Sequence, residues 1–337
     1  MSRVGCRGPP RVRCMAANAM RRPLGSLATR SLATLAGSAS AGLPRVRVGG
    51  VPEHFNTPWH TAASKGLFAV AGLSVEWVDF PGGTGAMNEA LHKGEIDVAL
   101  ALTEGLVTGL HRGNPSKLLG TYVASPLTWG VHVNANSSFQ SMADLSGAVY
   151  AVSRMGSGSH LMACVDAHAR GVAPPELEVV KSLDGARIAL RDDMAHVFMW
   201  EKFTTKFLVD SGEWRRVGEV DTPWPCFSIC ATNEALETKS ELLLAMLNVV
   251  RTEARDLRAS ADCAKTIGLM YAQHEVDIVE WLGGVRWCIR PVVSHATLNH
   301  VMESLVAANV LERDELLPPE QLVSHLCADE DPNVDSI

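Results

Sequence analysis

The sequence predicts an α/β protein of two similar lobes joined by two chain crossings. Three observations predict it. Apolar, β-leaning runs alternate with helical patterns from residue 46 to residue 210. The alternation repeats at an offset of about 100 residues: Lys65-Gly66 answers to Arg170-Gly171, and Thr103-Glu104 to Trp200-Glu201. Two long stretches, 119–134 (LGTYVASPLTWGVHVN) and 219–232 (EVDTPWPCFSICAT), can each run from one lobe to the other.

Val46, Val48 and Val51 mark the first strand. Asn56-Thr57-Pro58 opens a helix, with a cap residue ahead of proline at the first helical position. Lys65-Gly66 closes it. Strand 74–80 follows, then Gly82-Gly83-Thr84 leads into helix 84–93, which Gly94 stops. Strand 96–102 (IDVALAL) ends at Thr103-Glu104-Gly105. A short helix to about 111 and strand 117–124 complete a βαβαβ series, for which a parallel sheet covered by helices is the economical fold. The second half repeats the order: strand 148–153, helix 158–169, strand 177–183, helix 184–193, strand 196–200 and helix 201–210. The expected division is a basic segment at 1–42, lobe 1 at 43–127, lobe 2 at 128–225, and a return to lobe 1 with C-terminal helices at 226–327. Apolar faces for those helices include Leu243, Met246, Leu247 and Val250, and later Leu298, Val301, Met302 and Leu305. The acidic tail 328–337 is expected to be disordered.

At 337 residues the chain can bury two cores. Residues 1–42 hold seven arginines, no lysine and no acid; the first acid is Glu53. Arg-rich, Ser-containing and acid-free is the composition of an organellar transit peptide, mitochondrial (matrix) ahead of plastid. The alternative is a disordered basic tail, or a start at Met15 or Met20 in a cytoplasmic protein. Without those arginines the net charge moves from −7 to −14, which argues against a nucleic-acid partner. No run of about 18 apolar residues suggests a membrane span. The eight cysteines show no CxxC and read as free thiols.

In such α/β sheets ligands sit beyond the carboxyl ends of the strands, where helix N-termini offer N–H groups and partial positive charge. Two facing lobes therefore share one cleft, lined by strand-to-helix loops. These bring His54, Asn56 and Thr57; Gly83 and Thr84; Thr103 and Glu104; Arg154, Gly156, Ser157, Gly158 and Ser159; and Trp200 and Glu201. The run VSRMGSGSH lacks the Gly-Lys-Ser/Thr ending of a Walker loop and does not fit the Rossmann fingerprint. It reads as one wall of the cleft. Its glycines allow close approach, Ser157 and Ser159 supply hydroxyls, and Arg154 supplies fixed charge.

At these loops the blocks VPEHFNTPWH, FPGGTGAMNEAL, GEIDVALALTEG, SRMGSGSHLM, FMWEKFTTK and DTPWPCFSI resemble, in order and spacing, the type II periplasmic-binding-protein superfamily. The similarity spans about residues 44–290. It is greatest to a eukaryotic branch first seen in fungi, related to bacterial sulfonate- and nitrate-type solute receptors and, more distantly, to fungal thiamine-pyrimidine precursor synthases. The resemblance implies a two-lobe Venus-flytrap fold with two hinge crossings and a small organic molecule held in the cleft, without a cofactor. One departure stands out: lobe 1 keeps Gly94-x-x-Asp97 before its third strand, whereas lobe 2 has Asp193 and His196 where the family has Gly-x-x-Asp. That puts the geometry of the 193–196 turn in question.

Each candidate has a plainer reading. Glu104 and Glu201 accept hydrogen bonds from an amine, amidine or aminopyrimidine, or they cap helices. Among Trp59, Trp129, Trp200 and Trp224, core or hinge packing is the default, and Trp200 is the first choice for stacking on ligand. His54 is a ligand contact or structural. Cys164-x3-His168 and Cys226-x3-Cys230 each lack the partner pair a zinc site needs. The function expected is a solute-binding protein for an anionic, zwitterionic or pyrimidine-like molecule. The alternative is a thiamine-pyrimidine precursor synthase. Those synthases carry a cysteine-rich cluster and cofactor-binding lysine and histidine, for which Cys226-x3-Cys230 is the nearest counterpart here. A third class is a ligand-gated switch for a protein partner of unknown kind.

Overall fold

A computed structural model describes residues 42–337. The expected transit peptide therefore lies outside the described residues, apart from Gly42. The first-lobe strands are β1 (Arg45–Gly50), β2 (Ser74–Asp79), β3 (Val98–Leu102) and β4 (Ser116–Val123). The second lobe holds β5 (Thr128–Asn134), β6 (Val149–Val152), β7 (Glu176–Val179), β8 (Val197–Glu201) and β9 (Trp214–Asp221). The chain then returns through β10 (Phe227–Thr232) and β11 (Trp287–Arg290). The first sheet has the order β11-β4-β10-β3-β1-β2, and the second β7-β6-β8-β5-β9.

The purely parallel sheets expected from the βαβ pattern are corrected to mixed ones. β1 runs parallel to β2 and β3, and β6 parallel to β7 and β8. The crossing strands run against them: β10 inserts antiparallel between β3 and β4, and β5 lies antiparallel between β8 and β9. A strand that has just crossed from the other lobe enters from the opposite end, so it pairs in reverse. Every residue of β3 and β10 is buried, as strands covered on both faces require. The two-lobe class read from the sequence is borne out, with links 124–127 and 222–226 joining the sheets.

Three local expectations change. Residues 202–205 form turns, and only Lys206–Asp210 is helical. Glu201 Oε2 accepts from the Thr204 N–H (2.6 Å) and Oγ1 (2.8 Å), which delays the helix. β7 ends at Val179, and helix Leu183–Arg191 starts from a Ser182 cap. The acidic tail is ordered: Trp287 and Ile337 exchange both backbone hydrogen bonds (3.0 and 2.7 Å). Acid-rich composition does not reveal such backbone pairing.

Candidate functional site

The strand-to-helix loops of both lobes face one another across a cleft. Of the fourteen residues that the sequence assigns to the cleft loops, Gly83, Thr84, Arg154, Ser157, Gly158, Ser159, Trp200 and Glu201 line it. The other six do not.

Those six have structural partners or stand outside the lining. His54 is fully buried, stacked on Phe55 and edge-on to Trp281. Burial lowers its pKa to about 3, so it is neutral. Asn56 donates to the Val51 carbonyl (2.7 Å) and Thr57 Oγ1 to the His54 carbonyl (2.7 Å). Thr103 Oγ1 donates to the Pro225 carbonyl at the second crossing (2.6 Å). Glu104 is fully buried and accepts from Trp224 Nε1 (2.9 Å); burial raises its pKa to about 7. Gly156 stands outside the lining, in left-handed backbone at φ +76, where its N–H donates to His160 Nδ1 (2.9 Å).

The Gly-Ser loop is built otherwise than its composition suggests. Ser157 caps helix Gly158–Ala169 and donates to the Arg154 carbonyl (2.7 Å), while Ser159 Oγ accepts from the Ser153 N–H (3.1 Å). The hydroxyls thus hold the loop. Gly158 permits a close approach, but by protein: a Cβ there would stand 2.8 Å from Trp129 Cη2 and would also strike Leu102.

Arg154 is the cleft's polar anchor. It is half-buried and forms no ion pair among the described residues, and its Nη2 is buried without a hydrogen-bond partner. Burial lowers its pKa, with Glu89 opposing. The guanidinium reaches the lobe-1 loop, where a Cβ on Gly85 would stand 2.5 Å from Nε and one on Gly82 3.2 Å from Nη1. Trp129 lines the same space with its Nε1 buried and unpartnered. With Trp200, Phe227 and Leu102 it makes the walls apolar and aromatic. Glu53, which the sequence showed only as the first acid, faces the cleft from the end of the β1 loop. Nothing in VPEHF tells which of Glu53 and His54 turns inward.

Among the described residues no group of three or more His, Cys, Asp or Glu could hold a metal, and no helix is long and apolar enough to cross a membrane. Cys226 and Cys230 are buried in the first lobe; Cys230 donates to Ser116 Oγ (3.3 Å), and burial pushes its pKa up to about 12.

Two α/β lobes with mixed sheets, joined by two crossings around a cleft, define the periplasmic-binding-protein fold. The NMT1-like family model matches residues 39–157, and the Ca3427-like PBP model matches residues 129–220. Among solved structures, the Candida albicans CA3427 gene product, which defines a family with the generic periplasmic binding protein fold, is 28% identical with a TM-score of 0.79. That match covers 87% of this chain and 100% of the Candida protein. The alkanesulfonate-binding protein SsuA of Xanthomonas axonopodis pv. citri, bound to MOPS, is 17% identical with a TM-score of 0.67, covering 82% of this chain and 97% of its own. The aliphatic sulphonate binding protein SsuA of Escherichia coli is 16% identical with a TM-score of 0.62, covering 83% and 92%. A search of the curated proteins returns no match. The fold and the NMT1-like similarity support a solute-binding role, and the resemblance read from the sequence is borne out.

Proposed function

We propose that the protein binds a small organic anion in the inter-lobe cleft, with the anionic group on Arg154 and the organic body between Trp129, Trp200 and Phe227. The observation that carries this reading is the unpaired guanidinium. A half-buried cation without an ion-paired carboxylate costs stability unless something else supplies the charge, and Glu89 acts on it only through space, less strongly than burial opposes it. Loop Gly82–Thr84 adds backbone beside it, and the Trp129 N–H adds a second unmatched donor. The sulfonate-binding proteins that share the fold make sulfonates the first probes.

Calorimetric titration with MOPS and benzenesulfonate, and with benzoate for comparison, tests the reading. Arg154→Gln is expected to weaken binding of every anion that binds by about 10- to 100-fold, the loss of one or two charge-assisted hydrogen bonds. Unchanged affinity in that variant overturns the reading. Among the described residues the cleft lining contains no lysine or histidine on which a synthase could hold an aldehyde cofactor, so the enzymatic alternative gains no support from them. We further propose mitochondrial targeting by the basic first segment, which an import assay with residues 1–42 fused to a reporter tests.

A further inference from the structure

Glu53 and Glu201 line the cleft from opposite lobes, Glu53 from the loop after β1 and Glu201 from the end of β8. Neither forms an ion pair among the described residues. The cations nearby are taken. Lys202 is shared by Glu219 and Glu280 (3.3 Å each) and acts on Glu201 only weakly. Lys206 is held by Asp210 (2.6 Å) and Asp277 (3.5 Å). Glu53 also borders a second hollow, with Lys206, Asp210, Tyr271, His274 and Asp277. His54 is neutral. The charge that Glu53 feels is Glu201, while the acid that Arg154 feels is Glu89. The carboxyl pair and the guanidinium thus mark separate parts of one cleft.

Resting on the reading of Arg154 as the anion site, we propose that Glu53 and Glu201 together receive a cationic nitrogen group of the same ligand, a primary ammonium or an amidinium. The ligand is then a zwitterion with an apolar or aromatic spacer. Facing carboxyls from the two lobes disfavour each other's ionised forms in the empty cleft, and a cation held between them favours both, so the charge pattern couples ligand binding to closure. Glu201 contributes one oxygen at most, because its Oε2 already accepts from Thr204. Glu53 has the Trp200 N–H beside it. Burial and Glu201 raise its pKa to about 8, against the Trp200 N–H, so at pH 7 it holds a proton that an arriving cation displaces.

The test is titration calorimetry at pH 7 on the full chain with two isosteric probes, 4-(aminomethyl)benzenesulfonate and 4-ethylbenzenesulfonate. The wild type is compared with E53Q, E201Q and R154Q, each checked by a melting scan. The ammonium probe is expected to bind the wild type about tenfold more tightly than the ethyl probe. That advantage shrinks to about twofold or less in E53Q and in E201Q, while affinity for the ethyl probe persists. Titrations in two buffers of different ionisation heat are expected to show proton release on binding the ammonium probe, lost in E53Q. Equal affinity of the two probes for the wild type, or an advantage that survives in both glutamine variants, overturns the cation site; if R154Q still weakens both probes, the anion reading stands alone. If neither probe binds, or R154Q changes nothing, both readings fall together.

Discussion

Asp193 sits where its counterpart in the first lobe is a glycine. Gly94 and Asp193 both adopt left-handed backbone, at φ +66 and +56. Three residues on, Asp97 Oδ2 accepts the Arg47 N–H (2.8 Å), and His196 Nδ1 accepts the Val149 N–H (2.9 Å). The backbone bonds match as well: Asp97 N–H to Arg47 O at 2.9 Å, and His196 N–H to Val149 O at 2.8 Å. The imidazole therefore does what the carboxylate does in the other lobe, and the departure from the family pattern leaves the turn intact. Left-handed backbone costs aspartate something that glycine avoids, partly offset by glycine's freer unfolded chain. Asp193→Gly is expected to stabilise the protein by about 0.5 kcal/mol, read from urea unfolding. A loss of stability would mean that the long Asp193–His196 contact (3.7 Å) matters more than the backbone. The sequence shows that Gly-x-x-Asp is missing, but not that aspartate tolerates the left-handed region or that a histidine nitrogen reaches the same N–H. Gly158 teaches the same limit. A glycine that admits a close neighbour was legible, whereas the neighbour, Trp129, comes from a strand 29 residues earlier.

The two crossings are a paired ribbon. The Thr222 N–H donates to the Leu127 carbonyl (3.0 Å), and the Leu127 N–H donates to Thr222 Oγ1 (2.9 Å), which in turn donates to the Trp224 carbonyl (3.0 Å). One step along, the Cys226 N–H donates to the Ser125 carbonyl (3.1 Å). Thr222 is fully buried, so these groups have no water to fall back on. Thr222→Val keeps the shape and strands two backbone groups, which should cost about 1–3 kcal/mol, while Thr222→Ser keeps the bonds and should cost less. Equal urea midpoints for the two variants would contradict this. The crossings themselves were legible as stretches long enough to pass from one lobe to the other, around Pro126 and Pro223 to Pro225. Their pairing was not, because the partners are about 95 residues apart and no periodicity links them. The missed turn at 202–205 is a different case. Glu201 was read as ligand-facing, yet one of its oxygens closes the turn locally, a use that an apolar pattern does not register.

For the molecule as a whole, buried carboxyls set how stability depends on pH. Burial raises Glu104 to about 7 and, with Glu201, raises Glu53 to about 8; Glu201 is raised as well, burial being the larger cause. A carboxyl whose folded pKa exceeds its unfolded one binds its proton more tightly in the native state. Its contribution is present in full below the unfolded value, near 4.5, and is lost as pH rises through the folded value. Asp97 acts with the opposite sign. Hydrogen bonds from Arg47 and Lys239 outweigh its burial and lower its pKa, so its contribution is lost as pH falls through the lowered value. The ligand-free protein is therefore expected to melt highest near pH 5 and at falling temperature from there to pH 8.5. Self-repulsion of an acidic body changes with pH too, so the slope alone does not identify its source. Substitution separates them. Glu104→Gln can still accept the Trp224 N–H and should flatten the fall between pH 5 and 8, as should Glu53→Gln. Glu312→Gln removes the same unit of charge from an exposed position and should leave the slope unchanged. Equal flattening by all three would assign the slope to net charge and remove the buried carboxyls from the account. A ligand that brings a cation to Glu53 should also reduce the fall, since it stabilises the ionised carboxyl at the high-pH end where the empty cleft is weakest.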